Sequence, residues 1–114
     1  MNGRDPIIVS AVRTAIGDFG GALREVRHTD LATLVMREVC ERAGFPKENV
    51  DDILWGIMMA RSDEASLSRD SSLRAGFPDY ISSSQVARAC CSSMETIRMG
   101  SMAIRLGEAN AILA

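Results

Sequence analysis

No apolar stretch in this sequence approaches the ~20 residues that a helix needs to cross a bilayer. The runs around Ile7 and Ile53 are far shorter. The opening Met1-Asn2-Gly3-Arg4-Asp5-Pro6 lacks the apolar segment of a secretory leader. Cysteine is scarce, with three residues of which two are adjacent, and this excludes a disulfide framework. The CxxC…CxxC spacing of a structural zinc site is also missing, so no metal is expected. A reducing, cytoplasmic location is the default reading. Positive charge is not in excess: 13 Lys and Arg stand against 15 Asp and Glu, for a net charge of −2. That leaves no basic footprint for nucleic acid. Neither the GxGxxG nor the Walker spacing is present, so Gly20-Gly21 reads as a tight turn rather than a phosphate cradle. No internal repeat or low-complexity tract occurs.

What is present describes an ordinary small domain. The 114 residues are 46% hydrophobic and 25% charged, enough for one core. Ile7-Ile8-Val9-Ser10-Ala11-Val12 is rich in β-branched residues and reads as a buried strand. Arg13 to Gly21 is a glycine-punctuated loop. A helix is expected from about Thr29 to Ala43, with Thr29 as its N-cap and Asp30 complementing the dipole. Leu31, Leu34, Val35, Val39 and Ala43 would form its apolar face, and Gly44 with Pro46 would stop it. A strand lies within Val50 to Met59, a short helix within Ser66 to Ala75, and a third strand within Ser84 to Ala89. The next helix reaches Leu106 and ends at Gly107. Its small residues Ser92, Ser93, Thr96, Gly100, Ser101 and Ala103 point to close packing. Ala109 to Ala114 reads as a last strand, inside which the chain stops, so a truncated piece of a longer protein is expected. Strands alternating with helices imply an α/β layered fold with a largely parallel sheet.

The most informative stretch is Val86-Ala87-Arg88-Ala89-Cys90-Cys91-Ser92-Ser93-Met94-Glu95-Thr96-Ile97. It places a cysteine between a strand and a helix of small residues. Such a junction offers unsatisfied backbone N–H groups and the positive end of the helix dipole. Both favour an anion, and the thiolate is the nucleophilic form of cysteine. Cys90 is therefore the candidate nucleophile, against the common alternative of a packed thiol. Cys91 must point elsewhere around the helix and reads as a packed small side chain. Cys40, in the middle of the first helix, reads as core. His28 is the only histidine, and a capping or surface role suits it better than catalysis. Arg13, Arg69 and Arg88 could meet phosphate, but structural or solvated roles are the simpler reading. Asp51-Asp52 and Asp63-Glu64 read as solvated loop charges.

Several segments carry a family likeness. Ile8 to Gly21 closely resembles the opening motif of thiolases, and His28-Thr29-Asp30-Leu31 continues it. Val50 to Gly56 is similar to the family's second strand. Val86 to Ile97 resembles its nucleophile motif, and Ala103 to Ala109 the end of its buried helix. The resemblance runs in one register over nearly the whole chain. It implies a partial thiolase-like N-terminal domain over residues 1–114, with the buried helix following the nucleophile cysteine.

The resemblance implies a function as well. In thiolases the cysteine at the position of Cys90 attacks a 3-ketoacyl-CoA, acetyl-CoA leaves, and CoA takes the remaining acyl group. Some members run the reverse condensation. The implied activity is that of an acetyl-CoA C-acyltransferase working through an acyl-cysteine thioester. CoA and acyl-CoA would be substrates, and no cofactor would be bound permanently. Full-length members would form homo-oligomers, dimers or tetramers. Departures exist: Cys91 and Ser93 replace common glycines, Ala87 replaces a common asparagine, and Arg61 to Arg69 replaces a glycine-rich loop. The Cys-x-Ser-Ser core resembles the branch found in multienzyme complexes of fatty-acid β-oxidation, which implies a multienzyme partner. The family's histidines and second catalytic cysteine have no counterpart in these residues, so the fragment alone is expected to be inactive. A non-catalytic thiolase-like association protein and a thiol redox module using Cys90-Cys91 remain competing readings. A vicinal disulfide would be strained, which ranks the redox reading last.

Overall fold

The computed structural model describes residues 4–114. Three helices and three strands form the frame, in the order α1 (His28–Ala43), β1 (Asp52–Gly56), α2 (Leu67–Arg74), β2 (Ser82–Val86), α3 (Ser92–Leu106) and β3 (Ile112–Leu113). Two short 3-10 turns, Lys47–Asn49 and Ser62–Glu64, flank β1. The sheet is parallel throughout, in the order β2-β1-β3. Asp52 sits opposite Ser82 on one side and Ile112 on the other.

Alternation along β1 sorts the layers. Ile53 is fully buried in a cluster with Met36, Cys40, Val50, Phe77 and Ile81, and Trp55 packs against the same cluster. That is the layer of α1 and α2. Leu54 and Gly56 point to the opposite face. There Gly56 meets the first turn of α3 so closely that a Cβ would lie 2.5 Å from the Ser93 nitrogen. The result is an α/β/α arrangement with α3 alone on its side, as right-handed crossovers require for this strand order.

The helix stops follow their sequence cues. Gly44 and Gly107 both adopt the left-handed C-cap conformation, at φ 60° and 79°. Gly20 takes φ 67°, and the Gly21 N–H donates to the Asp18 carbonyl at 2.9 Å, so the glycine pair is the tight turn expected.

Several expectations need correction. Ile7–Val12 forms no strand, and Ile7, Ile8 and Val9 are 79%, 77% and 69% exposed. A β-branched run becomes a strand only when it pairs with an edge, and this segment pairs with none of the described strands. It borders an apolar groove of about 770 Å³, walled by α1, α3 and β3. The buried stripe of α1 is Thr29, Ala32, Met36 and Cys40, while Leu34 is exposed. Leu31, Val35 and Val39 are half-buried. Arg27, not Thr29, is the N-cap of α1, and it makes no side-chain cap bond. β2 starts two residues earlier than expected, and only Ile112–Leu113 of the last segment pairs. α3 buries one stripe, Ser92, Thr96 and Gly100, and leaves Met94, Ile97, Met102 and Leu106 exposed.

Asp63 is an exposed loop charge as expected, but the other three loop acids are not solvated bystanders. Glu64 is 2% exposed and its Oε1 accepts from the Thr29 N–H at 2.9 Å and from the Thr29 hydroxyl at 2.5 Å. These bonds hold its carboxyl below the usual range, with help from His28 and Arg27 nearby. The carboxylate thus serves, across 35 residues of sequence, as the cap that α1 lacks locally. Asp51 accepts from the N–H groups of Asn110 and Ala111, which lowers its pKa and pins the entry to β3. Asp52 accepts from Ser82 Oγ at 2.7 Å, across β1 and β2.

Candidate active site at the Cys90 turn

β2 ends at Val86 and α3 begins at Ser92, so Cys90 lies on the connecting turn. Cys91 is the N-cap residue of α3, and its carbonyl accepts from the Glu95 N–H at 2.9 Å. Both thiols are free and exposed, whereas Cys40 is buried in the core as expected. For Cys91 the exposure corrects the reading of a packed side chain. Burial raises the Cys40 pKa and makes that thiol unreactive.

The turn is held open at an unusual backbone angle. Ala89 has φ 46°, the one non-glycine residue with positive φ among those described. For an L-residue this region costs roughly 1–2 kcal/mol. Hydrogen bonds around the turn offset it. The Ser92 hydroxyl donates to the Ala89 carbonyl at 2.7 Å and accepts from the Arg88 N–H at 2.8 Å. The Cys91 N–H donates to the Arg88 carbonyl at 3.0 Å. Ser92, only 4% exposed, is thus an internal brace that sequence reading missed. A serine opening a helix just after the cysteine was the available signal.

Charge surrounds the turn. Arg88 Nη1 bonds Glu95 Oε2 at 2.6 Å, and Arg98 bonds both oxygens of Glu95 at 2.5 and 2.9 Å. Arg98, with Arg88 adding to it, pulls the Glu95 pKa to about 2. Arg88 is therefore engaged structurally. Arg69 is engaged likewise, donating to the carbonyls of Ile81 and Asp79 at 2.8 and 2.7 Å. Arg13 is exposed and reaches only the neighbouring Thr14 carbonyl.

Gly56 is the second residue that sequence reading undervalued. Besides the Ser93 nitrogen, its missing Cβ would meet Ser92 C and Ser93 Cα at 2.7 Å. All three are backbone atoms of the helix start that carries the cysteine turn. Glycine at the end of a strand signals such a close approach.

His28 is remote from this chemistry in role: its Nδ1 lies 3.6 Å from Glu64 Oε2. No cluster of ligating side chains suited to a metal occurs among the described residues. Among the described residues, no helix is long and apolar enough to cross a membrane. The turn therefore presents the Cys90 thiol, accessible and on a braced backbone, next to the likewise exposed Cys91 at the N-cap of α3.

A family model described as "Thiolase, N-terminal domain" matches residues 6–114. An acetyl-CoA acetyltransferase of Syntrophomonas wolfei is 29% identical over 97% of this chain and 28% of its own length. A steroid 3-ketoacyl-CoA thiolase of Mycobacterium tuberculosis is 36% identical over 99% of the chain and 29% of its own length. The crystal structure of the Bacillus anthracis acetyl-CoA acetyltransferase superposes with a TM-score of 0.90 at 38% identity, covering 96% of this chain and 28% of that one. The chain thus spans somewhat over a quarter of the length of these relatives.

Proposed function

Since this chain belongs to the thiolase family through its N-terminal domain, we propose that Cys90 is the acyl-carrying nucleophile of a thiolase-type acyltransferase. The observation that carries the reading is the exposed thiol on a braced turn directly before α3. In this reading the Cys90 thiolate attacks the 3-carbonyl carbon of a 3-ketoacyl-CoA. The carbon–carbon bond breaks, and the departing acetyl-CoA carbanion takes a proton. The acyl group stays on sulfur as a thioester. The thiol of CoA then attacks that thioester, and Cys90 leaves as the thiolate. The reverse sequence is the Claisen-type condensation.

These 114 residues supply the nucleophile but not the remaining groups. A helix terminus contributes at most about 2 kcal/mol. Losing one oxyanion donor alone costs roughly 2.7–4 kcal/mol, and a general base and acid are needed besides. We therefore expect no Cys90-dependent turnover from the chain alone. In the whole protein, CoA and acyl-CoA are substrates, no permanent cofactor is needed, and the setting is fatty-acid β-oxidation in the cytoplasm. Free cysteines fit that reducing compartment. A homo-oligomer, with a multienzyme partner, fits the exposed Ile7, Ile8 and Val9 beside an apolar groove.

The test is a chimera in which these residues replace the matching N-terminal part of the Bacillus anthracis enzyme. CoA-dependent loss of a 3-ketoacyl-CoA is expected, abolished by Cys90→Ala. A folded chimera without turnover, or one indifferent to Cys90→Ala, would overturn the proposal and favour the association protein.

A further inference from the structure

The turn that carries Cys90 is tied at its entry by a charge that the chemistry above does not use. Ala89 sits at φ 46°, so the Arg88–Cys91 segment stays in place only while its surroundings hold it. Ser92 braces the turn from inside. The outside tie is the Arg88 guanidinium, 2.6 Å from Glu95 on the first turn of α3. Glu95 is not free to wander. Its side chain is 13% exposed and Arg98 grips both of its oxygens. Arg88 is thus fastened to a fixed point on the helix, while its own backbone N–H and carbonyl close the turn.

We propose that Arg88 is a positioning residue for Cys90, acting through Glu95 to keep the strained turn from relaxing. Without the tie, Ala89 is free to return to negative φ, and Cys90 rotates away from the helix start. Cys90 and Cys91 then become two similar exposed thiols. The inference rests on Cys90 being the functional thiol. Its test reads thiol selectivity rather than turnover, so the two can fail separately.

The measurement is the ratio of Cys90 to Cys91 alkylation by iodoacetamide on the 114-residue chain, resolved by peptide mass spectrometry. Arg88→Ala is expected to lower the ratio roughly fivefold, the upper end of what an exposed ion pair provides. Arg88→Lys, which keeps the single donor-to-Oε2 contact, restores it to within about twofold. Glu95→Gln repeats the loss and carries the test if Arg88→Ala does not fold. Cys40 must stay protected in every variant, because a general loosening would label it too. An unchanged ratio in the folded variants, a failure of lysine to rescue, or parallel labelling of Cys40 would overturn the proposal.

Discussion

Substitution of Gly56 by alanine tests the contact that joins the sheet to the helix start. The added Cβ would lie 2.5 Å from the Ser93 nitrogen, against an ordinary contact distance of at least 3.4 Å. Backbone atoms cannot swing aside, so β1 and α3 must separate by about 0.9 Å at this point. Overpacking of this kind costs roughly 1–3 kcal/mol. At roughly 4–8 °C per kcal/mol for a domain near this size, the thermal midpoint falls by about 4–24 °C. The displaced segment includes Ser92, which braces the Cys90 turn, so an active chimera loses rate as well. A misplacement near 1 Å at a reacting group costs about 100-fold. Thermal unfolding followed by circular dichroism reads the first effect, and chimera turnover the second. Gly100→Ala is the control. Its Cβ meets Ile112 Cγ2 at 3.2 Å, a side-chain atom that can give, and alanine gains up to about 1 kcal/mol of helix propensity. It should leave the midpoint within a few degrees of the parent. A Gly56→Ala midpoint indistinguishable from the parent, with full turnover, would refute the reasoning.

Other perturbations separate the remaining roles. Iodoacetamide is expected to label Cys90 ahead of Cys91 and to spare the buried Cys40, and preferential labelling of Cys91 would contradict the assignment. Glu64→Ala removes the remote cap of α1 and should lower the thermal midpoint, whereas Asp63→Ala, at an exposed neighbour, should not; equal effects would refute the capping role. The Glu95 carboxyl is held at about 2 when folded, against an ordinary 4.5, so its stabilisation is full above about pH 4.5 and fades as pH falls towards 2. Urea unfolding of the parent and Glu95→Gln should therefore differ by a constant amount at neutral pH and converge near pH 2. A difference that grows on acidification would show the sign to be wrong.

Local signals in the sequence located most of the elements. Gly44 and Gly107 stop their helices because only a left-handed residue closes those ends without strain, and such a cue is written in one residue. The parallel sheet followed from alternating strands and helices. Cys90 fell at its junction because a cysteine before a run of small residues marks a helix start. What failed depends on contacts distant in sequence. Ile7–Val12 has strand composition, but pairing requires an edge that no residue in the segment specifies. Glu64 reads as a loop charge until Thr29, 35 residues earlier, is brought against it. Leu34 is expected on the buried face of α1 and faces solvent, because the stripe that α1 buries is Thr29, Ala32, Met36 and Cys40. The positive φ of Ala89 had no sequence cue, since alanine is a poor choice for that region.

In this reading Cys90 carries the acyl group. Acid-quenched peptide mass spectrometry of the chimera, after brief exposure to acetyl-CoA, tests it most directly. One acetyl group on the peptide containing Cys90 is expected, removable by hydroxylamine and absent after Cys90→Ala. Acetylation that moves to Cys91, or turnover that continues in Cys90→Ala, would contradict the claim.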